Sequence, residues 1–92
     1  MSEVVGDPDD IEAFARELDD YCQSTADNLH RIRGRLAGME SERSWADDRY
    51  RQYYDMFEEV SGRIQQALDG IRDEHIQHLH RVVQRLRAYH EG

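Results

Sequence analysis

Apolar residues recur along this chain at alternating steps of three and four. In the first half they fall at Ile11, Phe14, Leu18, Tyr21, Thr25, Leu29, Ile32, Leu36 and Met39. The mean step is about 3.5 residues, the repeat of a coiled-coil seam, with one stutter near Thr25. In the second half the same alternation runs through Tyr50, Tyr53, Phe57, Val60, Ile64, Leu68, Ile71, His75, Leu79, Val82, Leu86 and Tyr89. Two amphipathic helices follow from this pattern, joined by a turn around the only tryptophan, Trp45. The predicted fold class is all-α, an antiparallel helical hairpin in a single domain that dimerises into a four-helix bundle.

Local signals set the boundaries. Asp7-Pro8-Asp9-Asp10 is a helix start: Asp7 can cap free amides, Pro8 suits the first helical position, and two acids favour the positive helix end. The first helix is predicted over 8–39, with Gly38 as its C-terminal stop. The turn is predicted over 40–46 and the second helix over 47–90, capped by Ser44 or by Asp47. Residues 1–6 read as a flexible lead. Helices of these lengths span roughly 48 and 67 Å, so the second should overhang the start of the first by about two or three turns. Near that end Ile76, Leu79, Val83 and Leu86 widen the apolar face.

Charge changes the picture in two ways. The chain of 92 residues has 35% charged residues, a net charge of -8 and a hydrophobic content of 38%, with a mean hydropathy of -0.96. Such values border on those of disordered chains, but the helical periodicity argues for a fold. One stripe per helix buries little, so a small hairpin needs a staple or a partner. There is one cysteine and no zinc-type Cys/His spacing, which leaves a partner chain. The acidic balance argues against nucleic acid as ligand. No apolar run approaches a membrane span, so no membrane insertion is expected. The first residues lack the character of a cleaved signal peptide. The expected location is cytoplasmic, with any export proceeding without such a peptide.

Charge also favours antiparallel pairing. Residues 1–20 carry eight acids against Arg16 alone, while Arg81, Arg85, Arg87 and several histidines lie near the other end. Glu12 with Arg16, Asp27 with Arg31, Asp47 with Arg51 and Glu59 with Arg63 are spaced for pairs along one helix, each worth roughly 0.2–0.5 kcal/mol.

Candidate chemistry is sparse. His75, His78 and His80 with Glu74 form the one metal-like cluster, but the opposite stripe offers Leu18, Tyr21 and Thr25 rather than carboxylates. Solvated or seam-edge histidines, responsive to pH, are the plainer reading. Cys22, beside the first seam, reads as a small buried hydrophobe, with an intermolecular disulfide as the alternative. No nucleophile, base and orienting group stand together, and there is no phosphate-binding loop. No enzymatic activity, cofactor or metal is expected. Tyr50, Tyr53, Tyr54 and Phe57 read as an aromatic hairpin end closed by Trp45, or as a recognition platform.

Together these residues resemble the WXG family of small type VII secretion proteins, helical hairpins of about this length with a Trp-X-Gly turn at mid-chain. The motif region here is Trp45-Ala46-Asp47, with Tyr50 and Tyr53 at the offsets where that family places small or aromatic residues. Two departures stand out. Asp47 replaces the glycine, and an Asp can cap a helix where Gly only permits a turn. After the second helix the family carries Tyr-X-X-X-Asp/Glu, whereas Tyr89 is followed by His90-Glu91-Gly92. The resemblance implies a dimeric secretion partner or adaptor, a homodimer or a heterodimer. The Trp45 turn and the apolar overhang, Val83, Leu86 and Tyr89, are together the expected surface for a larger protein, and the resemblance suggests the same. The alternative from another class is a cytoplasmic scaffold or chaperone that sheathes a helix of a larger partner.

Overall fold

The computed structural model describes residues 5–91. Most of the predicted lead, residues 1–4, and the final Gly92 lie outside the described residues. The first helix, α1, spans Pro8–Ser41. The second half forms one helical rod in three parts: α2 over Asp48–Gly70, a π-helical turn over Ile71–Ile76, and α3 over Gln77–Glu91. The rod returns antiparallel along α1, so the described residues form an all-helical hairpin. Its principal extents are 66 × 19 × 15 Å and its radius of gyration is 20.4 Å. A compact chain of this size would have a radius of roughly 13 Å. The interior is therefore a single seam between two rods.

The helix ends follow from the sequence, with one correction. The Asp7 carboxylate accepts from the amides of Asp9 at 2.9 Å and Asp10 at 3.3 Å, as a cap should. α1 does not stop at Gly38 but continues for three more residues. Its end is a Schellman motif. The amide of Ser44 donates to the carbonyl of Met39 at 3.0 Å, and that of Arg43 to the carbonyl of Glu40 at 3.1 Å. The left-handed residue such a motif requires is Arg43, at φ 62°. A glycine is usual there, and that mismatch hid the stop. At the start of α2 the cap is Asp47, which accepts from the Tyr50 amide, and not Ser44.

The seam differs in rotation from the predicted stripe. On α1 the buried residues are Ala15, Cys22, Leu29 and Leu36, a strict heptad. Phe14, Tyr21 and Ile32, expected in the seam, are 54%, 62% and 44% exposed. Small side chains at Ala15 and Cys22 let the rods approach, and the bulky residues are left on one flank. Cys22 is wholly buried and free, in the seam itself rather than beside it.

On the returning rod the buried residues are Tyr50, Ser61, Leu68, Ile76 and Val83. Counting a heptad on from Leu68 would bring His75 and then Val82 into the seam, as the stripe predicted. The π-turn adds one residue to the count, so Ile76 and Val83 are buried instead and His75 is exposed. The expected overhang is also much shorter. Arg87 pairs with Asp9 and Glu12, and a Cβ on Gly6 would come within 2.8 Å of Leu86. Only about one helical turn of α3 extends beyond that level. The α1 lead and a longer α1 make up the difference.

Candidate docking face

The two flanks of the seam differ in kind. On one flank, the α1 residues next to the heptad are Glu12, Asp19, Ala26, Arg33 and Glu40. All four charged members are bridged to the other rod. Arg87 binds Glu12 and also Asp9, the latter at 3.3 Å. Arg72 lies 3.3 Å from Asp19 and donates to Gln23 at 3.0 Å. Arg33 grips Glu58 with both fork nitrogens, at 3.0 and 2.6 Å, and Arg51 reaches Glu40 at 3.2 Å. The hydrogen bond from Arg87 lowers the pKa of the Glu12 carboxyl, and that from Arg33 lowers Glu58. The same bonds raise the pKa of Arg33 and Arg87. Such exposed pairs add little stability singly, but they fix the register and close this flank. Glu12 with Arg16 and Glu59 with Arg63 also pair as predicted. Asp27 instead accepts from Gln23, and Asp47 is engaged in the turn.

The opposite flank is apolar and open. Phe14, Tyr21 and Ile32 of α1 are exposed there, with Tyr53, Val60 and Ile64 of α2 exposed by 45%, 45% and 36%. Two hollows are set into it. One, of about 190 Å³, is lined by Ile32, Arg35, Leu36, Met39, Tyr53 and Phe57. The other, of about 330 Å³, is lined by Phe14, Leu18, Ile71, His75, His78 and Leu79. Along the outer rim of α1 stand Asp10 and Glu17 toward the chain ends, and Arg31 and Arg35 toward the turn. Among the described residues these four form no ion pair.

At the turn, Trp45 packs edge-on against Tyr50, with centroids 5.4 Å apart, and stacks on Tyr53 at 5.9 Å. Tyr53 stacks in turn on Phe57. Asp47 holds the turn with one oxygen. Its Oδ1 accepts from the Trp45 indole at 3.0 Å and from the Tyr50 amide at 2.9 Å. Tyr50 is buried and its hydroxyl donates to the Leu36 carbonyl at 2.8 Å. Burial is the main cause that raises the pKa of this phenol. The aromatic cluster thus closes the hairpin end, and Tyr53 extends it onto the open flank.

The four residues predicted to bind a partner are not brought together within one chain. Trp45 is half-buried at the turn, and Leu86 and Tyr89 lie near the far end of the rod. Val83 is only 4% exposed and belongs to the seam, so it offers no surface. Its exposure was inferred from an overhang that α1 in fact covers. Tyr89 is 63% exposed. The histidines also separate: His75 and His78 line the apolar hollow, while His80 lines a groove on the ionic flank with Glu12 and Asp19. Among the described residues no group of three His, Cys, Asp or Glu converges as a metal set. No described helix is long and apolar enough to cross a membrane. Sequence reasoning missed Arg33, Glu58 and Arg72 as bridging residues. The signal was the heptad of Ala15, Cys22, Leu29 and Leu36, whose neighbours on one side carry charge.

Comparison with protein-family models, with curated proteins and with solved structures gave no match.

Proposed function

We propose that this chain is a non-enzymatic, WXG-like helical-hairpin protein that acts as a dimer, as a secretion partner or adaptor in a type VII-like system. The observation that carries the reading is the asymmetry of the seam: one flank is bridged by ion pairs, the other is a continuous apolar strip along both helices. The strip needs a cover. The accessible surface is 7410 Å², whereas a compact monomer of this mass exposes roughly 5,600 Å². The excess is on the scale of a specific interface, roughly 1,200–2,000 Å² in total. Each large apolar side chain fully covered by a second copy contributes roughly 1.5–3 kcal/mol.

Rim charge supports a second copy laid antiparallel. Asp10 and Glu17 of one α1 then meet Arg31 and Arg35 of the other, twice over by symmetry. In that arrangement the Trp45 turn of one chain lies beside Leu86 and Tyr89 of the other, and each end of the bundle offers a composite surface to a larger protein. The resemblance at Trp45, Asp47, Tyr50 and Tyr53 supports the adaptor role. Sedimentation at micromolar concentration should give the mass of two chains. Ile32→Glu and Val60→Glu, both at exposed positions, should give folded monomers. A wild-type monomer that unfolds cooperatively would overturn the dimer.

A further inference from the structure

We infer that His75 and His78 make the apolar docking face proton-sensitive, so that the second copy is bound near neutral pH and released in mild acid. This rests on the dimeric reading above. The π-turn takes His75 out of the seam and places it on the open flank. His78 follows within one helical turn, and both imidazoles line the hollow of about 330 Å³ with Phe14, Leu18, Ile71 and Leu79. No carboxylate lines that hollow. Covering it takes two imidazoles out of water among apolar groups. A neutral imidazole tolerates this, whereas an imidazolium without a counter-charge does not.

The surrounding charges push the same way. On the histidines' own rod, Glu74 and Arg81 are exposed neighbours in sequence. Asp73 lines the ionic groove, and Arg72 is engaged by Asp19 and Gln23. From α1, the titratable groups around the hollow are Asp10, Glu17 and the phenol of Tyr21, all exposed. In the open hairpin, water and the carboxylates of Asp10, Glu17 and Glu74 accommodate protonated imidazoles. In the proposed antiparallel pair Glu17 is engaged by the other chain and no longer faces the imidazoles. Protonation is therefore favoured in the open state, and by linkage acid favours release. Histidine side chains ordinarily take up a proton near pH 6.5. If the closed face admits only the neutral form, each imidazole weakens association by about tenfold one pH unit below that value.

The test is the dimer dissociation constant at about pH 7.5 and about pH 5.5, by sedimentation equilibrium, with circular dichroism confirming the helices at both. The wild type should dissociate at least about tenfold more readily at the lower pH. His75→Gln with His78→Gln should dimerise at both values with no such difference, while His80→Gln should behave as wild type. A wild-type dimer equally tight at both values overturns the switch and leaves the dimer standing. A dimer whose acid sensitivity survives in the double variant overturns the assignment to these residues. A monomer at both values overturns the dimeric reading and the switch with it.

Discussion

Replacing Ser61 with alanine should stabilise the hairpin. Ser61 is 2% exposed on the seam face of α2, and its hydroxyl has no hydrogen-bond partner. It lies between the Arg33–Glu58 and Asp19–Arg72 bridges, at the level of Leu29. An unsatisfied buried hydroxyl costs about 1–3 kcal/mol. Alanine also has the better helix propensity, by up to about 0.5 kcal/mol. Against this stands the space of one oxygen, on the order of 10 Å³, which costs back only about 0.2–0.3 kcal/mol. The net gain is about 1–3 kcal/mol, and each kcal/mol moves the melting temperature of a domain this size by about 4–8 °C. Melting should be followed by circular dichroism at one fixed protein concentration, because the proposed dimer would make the midpoint concentration-dependent. Ser24→Ala, on the exposed surface of α1, supplies the propensity baseline. A Ser61→Ala midpoint no higher than that of Ser24→Ala would mean that the hydroxyl is satisfied, through a carbonyl one turn earlier in the helix, and would refute the reasoning.

Two further outcomes follow from the turn. Arg43→Gly should stabilise by about 1 kcal/mol, because glycine adopts the left-handed position without the penalty an arginine bears; an unchanged denaturation midpoint would show that the Arg43 side chain compensates elsewhere. Asp47→Ala should cost about 1–2 kcal/mol through loss of the α2 cap, and should alter Trp45 fluorescence because the indole loses its acceptor; an unmoved emission spectrum would show that the ring is held by Tyr50 and Tyr53 alone.

Much of the fold was legible because a heptad, two N-caps and an acidic start are local signals. Asp7 caps as its position implies, Asp47 is the cap of the two candidates for α2, and α1 and α2 begin within a residue of the predicted points. The hidden parts are non-local. Nothing local marks Arg43 as left-handed, and α1 passes through Gly38 because an isolated glycine lowers helix propensity without forbidding it. The seam rotation was missed because the apolar arc of α1 is wider than one partner covers. A hydrophobic stripe then marks the arc, while the ion pairs along one edge decide which part of it faces α2. The open apolar flank was legible only as surplus width, and Val83 was misplaced because helix lengths alone overstated the overhang.

The π-turn connects the fold to the face. From Leu68, a regular heptad would carry His75 and Val82 into the seam and leave Ile76 and Val83 outside. Burying an imidazole opposite Ala15 and Cys22 would offer it no carboxylate and would expose two β-branched apolar residues on the ionic flank. One additional residue in the turn reverses both choices. It gives the seam Ile76 and Val83, at the cost of poorer backbone geometry over Ile71–Ile76. It also turns α3 so that Arg87 meets Glu12 while His75 and His78 meet Phe14 and Leu18. The ionic closure of one flank and the histidine-lined hollow of the other thus have a common origin. A chain selected only to pack as a lone hairpin could have placed an isoleucine at position 75 and kept a regular helix. Histidine at this position, inside the irregular turn, instead leaves an imidazole on the open flank.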